Sequence, residues 1–429
     1  MDKKALFAQA AEVLQENDRG TYTVPTKGLY PFQWNWDSCL TPLGQAQISA
    51  PRAWTEIETL FAHQWEDGMM PHIVFHVHDE GYFPGANVWR TQGCGGAGRG
   101  KIDTSGITQP AVAGFAVKRL FDRAKDKSLA LKHAKSLLPK INRWHEWFYR
   151  DRDPAGEGLV AIIHPWEAGR DNSIDWDEPF SKVPTDGIDP YVRRDLKHAD
   201  ASMRPTKEQY DRYLWLVQHF RDLKWDNSKL HDASPFRVVD PGFNAILIRS
   251  CFDLADLADA IGEKEIADKN RAWAKKGIAA LERLWSDKHG QYLCLDRVTG
   301  KLIDSADCGG LLPVFAGVPK PRVRAIAQRI EKISQQVKYI VPTHDPSDPR
   351  FDAKRYWRGP IWLIINYMIA DGLRTAGETA VADKIVKSSL ALIDSGGFAE
   401  YYDPRDGTAC GGARFTWTAA MVLEFLRYV

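Results

Sequence analysis

The sequence has 429 residues, of which 44% are hydrophobic and 26% charged, as expected of a chain that can bury a sizeable core. Its 57 basic and 56 acidic side chains leave a formal net charge of +1, which argues against a nucleic-acid or anionic-membrane partner and favours a small molecule. Its 16 tryptophans are unusual, and their flat apolar faces suit sugar rings as well as protein cores.

Helical periodicity of the apolar residues recurs along the chain and predicts an all-α fold. The pattern predicts helices over 4–17, 40–65 with a break at Pro51, 106–125, 128–150, 207–223, 241–260, 263–285, 321–335, 358–376, 378–394 and 414–428. No run of alternating apolar residues is long enough to predict a sheet. Because the helices form hairpins separated by long loops, we expect a toroid of about a dozen helices, with the loops gathered at one mouth.

Long loops rich in Gly, Pro, Trp and Asp separate the helices, and loops of this length are usually functional. They span 20–39, 66–105, 151–206, 286–318, 339–357 and 396–413. Segment 92–103 is so rich in glycine that we expect it to be mobile without a ligand. It is interpreted either as a lid that closes over a ligand or as a tolerated insertion.

Several features argue against other classes of protein. The N-terminal segment lacks an apolar signal core and no segment has the roughly 18 apolar residues of a membrane span, so a cytoplasmic location is predicted. No metal or other cofactor is predicted, because His76 and His78 lack further ligands at a metal spacing. GxSxG, P-loop and strand-linked GxGxxG motifs are also missing. Six cysteines without CxxC pairing are expected to be reduced thiols: Cys39, Cys94, Cys251, Cys294, Cys308 and Cys410.

Three loops combine carboxylates with aromatic side chains, as sugar recognition requires. The loop 28–38 carries Tyr30, Trp34, Trp36 and Asp37. The loop 164–179 carries Trp166 and five acidic residues, of which one is Asp171. The loop 396–407 carries Glu400. Glycosidic cleavage needs one protonated carboxyl to assist the leaving oxygen and one carboxylate to activate water or attack the ring. Each loop alone also fits an ordinary structural role, but together they predict a glycoside hydrolase.

Seven sequence strings between about residues 20 and 425 carry a resemblance to a known family. They are TYTVPTKGLYPFQWNWDS, QWEDGMMPHIVF, TSGITQPAVAGF, WEAGRDNSIDWD, DPGFNAIL, YWRGPIWLIINYMI and GFAEYYDPRDGTACGGARFTWTAA. In this order they resemble glycoside hydrolase family 63, and more closely its branch of glucosylglycerate and mannosylglycerate hydrolases. The resemblance implies one (α/α)6-barrel domain over 1–429, with loop insertions at about 66–105 and 151–206. It also implies an inverting mechanism on α-glycosides. It does not determine the oligomeric state, and a homo-oligomer is compatible with it.

The resemblance assigns roles to two carboxyl groups. Asp171 in GRDNS is similar to the family's general acid, and Glu400 in GFAEYYDP is similar to its general base. Inversion implies that roughly 6.5–9.5 Å separate the two carboxyls, which leaves room for a water molecule. We expect burial beside Trp166 to keep Asp171 protonated near neutral pH, and a wetter setting to keep Glu400 ionised.

The resemblance also implies a substrate pocket. Its sugar-binding wall is expected to comprise Tyr30, Trp34, Trp36, Asp37, Gln109, Trp166, Tyr356, Trp357 and Trp362, although Trp362 lies on a predicted helix and fits core packing equally well. The glycerate carboxylate is expected to bind Arg204 and Tyr210, because a charged fork and a neutral donor suit it. Gly81 and Tyr82 resemble a loop that closes over the glycerate.

One departure from the family pattern concerns the aglycone. The branch tends to have Gln in the segment that reads GGARFTW here, where this chain has Arg414. A cation near the mouth would favour a different anionic or more polar substrate.

The predicted reaction is hydrolysis of glucosylglycerate or mannosylglycerate to the free hexose and D-glycerate. One alternative is an α-glucosidase for a neutral disaccharide or another small glucoside, which would leave Arg204 and Tyr210 unused. An alternative of a different class is a sugar-binding barrel without catalytic activity.

Overall fold

The computed structural model describes residues 2–94, 96, 102–194 and 200–429, most of which are helical. The described helices are α1 (Lys3–Glu16), α2 (Asn35–Gln45), α3 (Ala50–Phe61), α4 (Ala86–Trp89), α5 (Ala113–Arg123), α6 (Lys127–Asp151), α7 (Asp177–Phe180), α8 (Lys207–Asp222), α9 (Asn227–Ala233), α10 (Pro241–Ile261), α11 (Lys264–Leu281), α12 (Pro313–Ala316), α13 (Lys320–Ile333), α14 (Leu363–Ala376), α15 (Thr379–Gly396) and α16 (Thr416–Phe425). The prediction of a mainly helical protein is therefore confirmed.

The strands in the described ranges are only two residues long. They are β1 (Gln33–Trp34), β2 (Ile73–Val74), β3 (Val238–Val239), β4 (Trp285–Ser286), β5 (Gln291–Tyr292), β6 (Leu295–Asp296), β7 (Lys301–Leu302), β8 (Tyr401–Tyr402) and β9 (Ala409–Cys410). Antiparallel pairing joins β1 to β2, β4 to β5, β8 to β9, and β3 to β6 to β7. These pairs fix loops against each other and build no extended sheet.

Six helices contact one another in a closed sequence, namely α2, α5, α10, α12, α14 and α16, with α16 returning to α2. Every residue of α2 and of α16 is buried, as expected for helices enclosed on all sides. A second set packs on the first: α1 on α16, α3 on α2, α6 on α5, α11 on α10, α13 on α12 and α14, and α15 on α14. The core therefore consists of an inner and an outer set of helices.

Local sequence signals explain where several helices begin and end. Thr206 and Gln209 form a reciprocal capping box at the start of α8. Asp240 caps α10 and is followed by Pro241, whose fixed φ suits a first helical position. Gly262 ends the same helix with φ +87°, a conformation that favours glycine. Such signals make the helix boundaries of this region readable from the sequence.

Two predicted helices begin later than their apolar patterns indicate. The helix predicted from 106 begins at 113 as α5, because Pro110 disfavours a helical residue before it. The helix predicted from 358 begins at 363 as α14, because Ile361 pairs instead with Tyr402 beside the β8–β9 hairpin. Gln109 and Trp357 therefore lie in non-helical segments before α5 and α14, and both line the cavity described below.

The break predicted at Pro51 lies at 46–49, and Pro51 itself occupies the first turn of α3. Four short helices were not predicted: α4, α7, α9 and α12. They have only four to seven residues, too few to show helical periodicity, although α12 belongs to the inner set. Contacts with neighbours, and not local pattern, stabilise such short helices.

All six cysteines are free thiols, and five of them are buried, in agreement with the prediction. Within the described part of the chain, no helix is long and apolar enough to cross a membrane.

Candidate active site

A cavity with about 960 Å³ of unfilled space, including its opening to solvent, lies at the N-terminal ends of α2 and α16 and at the loops before α5, α8 and α14. It brings together both predicted catalytic carboxyls and all but two of the predicted binding residues. Those that line it are Tyr30, Trp34, Trp36, Asp37, Gly81, Tyr82, Gln109, Trp166, Asp171, Arg204, Tyr210, Tyr356, Trp357 and Glu400.

Asp171 lies in a loop that is held from several sides. The hydroxyl of Tyr213 donates to the backbone carbonyl of Asp171 across 2.7 Å. The next residue, Asn172, accepts the backbone N–H of Trp357 at 2.9 Å. On the other side, the buried guanidinium of Arg170 pairs with Asp307 and, at 2.9 Å, with Asp240. The Asp171 side chain is thus positioned at the cavity wall by a rigid support.

Glu400 is 1% exposed and lies at the base of the β8–β9 hairpin. Its backbone N–H donates to the carbonyl of Gly412, and the N–H of Gly412 donates back to Oε2 of Glu400, both at 2.8 Å. A Cβ at Gly411, whose φ is +71°, would lie 2.2 Å from the same Oε2. The hydroxyl of Tyr30 donates to Oε1 across 3.1 Å. These contacts fix both carboxylate oxygens.

The two carboxyls have different surroundings. Burial raises the pKa of Asp171 to about 8; the nearby positive charge of Arg204 opposes this rise, and the negative charge of Glu400 adds to it. Burial also raises the pKa of Glu400 above its usual value, although Arg204, the N–H of Gly412 and the hydroxyl of Tyr30 each oppose this rise. The expected wetter setting of Glu400 is wrong, because donors and a cation, and not water, stabilise its charge. The expected raised pKa of Asp171 is confirmed.

One wall of the cavity suits a sugar ring. Asp37 lies in the first turn of α2, and its Oδ1 is buried without a hydrogen-bond partner among the described residues. The indole ring of Trp36 packs against Gly169, where a Cβ would lie 2.6 Å from it. Gln109 accepts the backbone N–H of Trp36 at 3.1 Å. A hydroxyl-rich ligand could satisfy Asp37 while resting against these flat surfaces.

Another part of the cavity lining carries a buried cation. Arg204 is 6% exposed, and its guanidinium lies over the ring of Tyr356 with 4.2 Å to the ring centroid. The hydroxyls of Tyr356 and Tyr30 are 3.5 Å apart, which links this wall to Glu400. Tyr210, in the first turn of α8, also lines the cavity. The arrangement can bind an anionic group beside the carboxyl pair.

The loop with Gly81 and Tyr82 also contributes to the cavity lining. The ring of Tyr82 packs edge-to-face against Trp34 and Phe32, with centroid distances of 5.5 and 5.3 Å. Phe83, which follows it, also lines the cavity. Tyr82 is therefore part of a packed aromatic wall in this structure.

Two predicted binding residues lie outside the cavity. Trp362 is completely buried, stacks on Trp357 at 3.8 Å and donates from Nε1 to the carbonyl of Tyr356 at 3.0 Å. The interpretation of Trp362 as a core residue is therefore correct, and this residue packs behind the Trp357 ring that lines the cavity. Arg414 pairs with Glu12 and Glu16 on the outer surface, so the expectation of a cation near the mouth at this position is wrong. The reason is that α1 places two carboxylates beside it.

The cavity also contains residues that the sequence did not single out. They are Pro25, Leu29, His72, Ile73, Phe83, Pro84, Gly169, Arg194, Pro205, Phe415 and Trp417. His72 bonds through Nδ1 to Ser105 Oγ at 2.8 Å, and burial lowers its pKa well below the usual value, so the ring is neutral. Several of these residues stand in the seven strings, but only their contacts identify them as cavity residues.

Part of the glycine-rich segment 92–103, together with its interpretation as a lid or an insertion, lies outside the described residues. His76 bonds to Gln33 at 2.7 Å and stacks on Tyr22, consistent with an ordinary polar role. Among the residues whose structure is described, no group of three or more His, Cys, Asp or Glu could hold a metal ion.

Comparison with known proteins gives consistent matches. Residues 30–418 match the family model of the mannosylglycerate hydrolase MGH1-like glycoside hydrolase domain. Mannosylglycerate hydrolase MGH1 of Selaginella moellendorffii is 48% identical over 424 residues, covering 98% of this chain and 86% of that protein. The glucosylglycerate hydrolase of Mycolicibacterium hassiacum is 33% identical over 435 residues, covering 98% of this chain and 97% of that protein.

A solved structure supports the same relationship. The crystal structure of the family 63 mannosylglycerate hydrolase of Thermus thermophilus, in complex with Tris and D-glycerate, superposes with a TM-score of 0.93. The two chains are 45% identical, and the match covers 97% of this chain and 99% of that one.

Proposed function

Because the chain belongs to glycoside hydrolase family 63, in its mannosylglycerate hydrolase MGH1-like branch, we propose that it hydrolyses an α-glycosyl glycerate to the free hexose and D-glycerate. Mannosylglycerate and glucosylglycerate are the two proposed substrates, and the higher identity to mannosylglycerate hydrolases favours the first. The observation that carries the proposal is one aromatic cavity that holds Asp171, Glu400 and the buried Arg204 together.

We further propose that the two sets of helices form a single (α/α)6-barrel domain over residues 1–429. The closed sequence of six inner helices, each covered by a helix of the outer set, supports this architecture. The segments at about 66–105 and 151–206 are then loop insertions at the mouth, and they contribute Gly81, Trp166, Asp171 and Arg204 to the cavity.

In the proposed mechanism Asp171 is the general acid. With a pKa of about 8, its carboxyl keeps its proton at neutral pH and can donate it to the glycosidic oxygen as the bond to the anomeric carbon breaks. Burial is the main cause of this proton affinity, and the nearby carboxylate of Glu400 adds to it. Asp171 is ionised after the transfer and regains a proton before the next turnover.

Glu400 is the proposed general base. Its two oxygens accept from Tyr30 and Gly412, which orients the carboxylate and lowers its proton affinity. It takes a proton from a water molecule as that water attacks the anomeric carbon on the face opposite the leaving group. Inversion through a water molecule requires roughly 6.5–9.5 Å between the two carboxyls. The product hexose then has the β configuration.

The remaining cavity residues divide between the hexose and the leaving group. We propose that Asp37, Trp36, Gln109 and Trp357 bind the hexose, because Asp37 offers a buried acceptor beside flat aromatic surfaces. We propose that Arg204, Tyr210, Gly81 and Tyr82 bind the glycerate, since the guanidinium offers two parallel donors to a carboxylate.

Release of free hexose from four compounds tests this function: α-mannosyl-D-glycerate, α-glucosyl-D-glycerate, α-glucosylglycerol and a neutral glucosyl disaccharide. We expect turnover of a glycerate conjugate that is lost in Asp171→Asn. Turnover of the neutral disaccharide alone would favour the α-glucosidase alternative. Tight sugar binding without turnover of any compound would favour a sugar-binding protein without catalytic activity.

A further inference from the structure

We propose that Arg194 binds the acidic group of the leaving group and thereby sets the preference for anionic over neutral glycosides. This inference rests on the proposed hydrolysis of a glycosyl glycerate. Arg194 lines the same cavity as Asp171 and Glu400 and is partly buried there. None of the described residues forms a hydrogen bond or ion pair with it. A partly buried guanidinium that faces a binding cavity in this way is suited to an anionic ligand.

The segment that carries Arg194 is held against two walls of the cavity. The ring of Tyr191 stacks on Phe83 with a centroid distance of 5.4 Å, and its hydroxyl donates to Asp211 in α8 at 2.6 Å. Arg193 donates to the carbonyl of Pro205 at 2.7 Å and lies 4.3 Å from the centre of the Tyr210 ring. These contacts place Arg194 on the leaving-group side, next to the residues proposed to bind glycerate.

Charge balance distinguishes the roles of the two arginines. Arg204 lies close enough to Glu400 to lower the pKa of that carboxyl, so its charge acts on the proposed general base. Burial raises the pKa values of Asp171 and Asp37 and lowers that of His72, so it favours the neutral form of all three groups. The described lining of the cavity contains two arginines, and contacts with Tyr30, Gly412 and Arg204 favour the ionised form of Glu400.

A monoanionic leaving group can pair with the guanidinium of Arg194, whereas a neutral glycerol or sugar leaves that charge unmatched. The planar guanidinium of Arg194 can donate two parallel hydrogen bonds to a carboxylate. Because Arg194 is only partly buried, its attraction for an anion should weaken as salt increases. Arg204, which is buried beside the carboxyl pair, should be less sensitive to salt.

The test uses two independent readouts on the full-length protein. The first is the ratio of kcat/KM for the glycerate conjugate to kcat/KM for the corresponding glycerol conjugate. The second is binding of D-glycerate measured by titration calorimetry, with glycerol as the neutral comparator. Both are measured for the parent, Arg194→Gln, Arg194→Lys and Arg414→Gln. The last variant is the matched control, since it removes the same charge from a surface pair outside the cavity.

We expect Arg194→Gln to lower the kcat/KM ratio and the affinity for D-glycerate about tenfold each, as expected for loss of a charge-assisted hydrogen bond. Arg194→Lys should restore part of both, and Arg414→Gln should change neither. An Arg194→Gln protein with unchanged ratio and affinity overturns the proposal, as does an equal loss on both conjugates.

Failure of the inference can be separated from failure of the proposed function. If the parent hydrolyses glycerate conjugates but Arg194→Gln behaves like the parent, the proposed function stands and the role of Arg194 is wrong. If the parent hydrolyses no glycerate conjugate yet loses D-glycerate binding in Arg194→Gln, the proposed function is wrong and Arg194 remains an anion-binding residue.

Discussion

The hydroxyl of Tyr30 donates a hydrogen bond to Oε1 of Glu400 across 3.1 Å, at the point where the cavity wall meets the β8–β9 hairpin. A donor to a carboxylate favours its ionised form, and this bond lowers the pKa of Glu400 against the effect of burial. Tyr30 therefore helps to keep the proposed general base ready to accept a proton.

Replacing Tyr30 by Phe should move the acidic limb of the kcat/KM profile to higher pH, because the pKa of Glu400 rises without the donor. We expect a shift of about half a unit to one unit and a decrease of about five- to tenfold in kcat at the optimum. Tyr428→Phe, whose hydroxyl bonds to Asp371 away from the cavity, is the control. An unchanged acidic limb in Tyr30→Phe would contradict the proposed role of the bond.

The pH dependence of the parent enzyme should show an alkaline limb caused by Asp171. The general acid must be protonated, so kcat/KM should fall as the pH rises through about 8, the pKa of this buried carboxyl. Asp171→Asn, which cannot donate an acidic proton, should lose at least about a thousandfold in kcat. A parent profile that stays flat through pH 9 would rule out this assignment.

Asp171→Asn should also stabilise the protein at neutral pH. The pKa of Asp171 is about 8 in the folded protein and roughly 3.9 in the unfolded chain, so folding takes up a proton between these values. This uptake costs stability that is absent below pH 4 and grows as the pH rises towards 8. Asn resembles the neutral acid and removes the cost.

Thermal unfolding at pH 4 and pH 7 measures the effect. We expect Asp171→Asn to gain about 1–2 kcal/mol over the parent at pH 7, and the gain to vanish near pH 4. Asp406→Asn is a suitable control, since backbone and side-chain bonds from Thr408 shift the pKa of that exposed carboxyl in the opposite direction. A gain for Asp171→Asn that does not change with pH would contradict the explanation.

Gly411 should tolerate no side chain without loss of activity. A Cβ at this position would lie 2.2 Å from Oε2 of Glu400 and would displace the carboxylate, in addition to straining the backbone at φ +71°. Gly262→Ala is the matched control, because Gly262 has φ +87° and nothing within 4 Å of the added carbon. Both variants should lose about 1 kcal/mol of stability, but only Gly411→Ala should lose most of its kcat. Equal kcat values would contradict a clash with Glu400.

Much of this fold could be predicted from the sequence because long helices repeat a clear apolar pattern. The pattern gave α6, α8 and α10 within about two residues of their observed bounds. It failed for α12, whose four residues are held by neighbouring helices and carry no periodic signal. It also extended α5 across Pro110 and α14 across Ile361, whose backbone pairs with Tyr402.

The residues of the candidate site also divide into those that could be identified from the sequence and those that could not. Asp171, Glu400 and the aromatic residues beside them could be identified because they stand in recognisable strings. Arg414 was misplaced because a sequence does not show that α1 brings Glu12 and Glu16 beside it. Arg194 was missed because it follows a charged, loop-like stretch, and only the packing of Tyr191 and Arg193 places it at the cavity.

The most direct test of the proposed mechanism follows the reaction of the parent protein with α-mannosyl-D-glycerate by ¹H nuclear magnetic resonance, with Glu400→Gln alongside. Inversion by Asp171 and Glu400 predicts that β-mannose forms first and converts to the α anomer only by slow mutarotation, and that Glu400→Gln releases almost no hexose. Initial formation of α-mannose, or hexose release that persists in Glu400→Gln, would contradict the assignment of these two carboxyls.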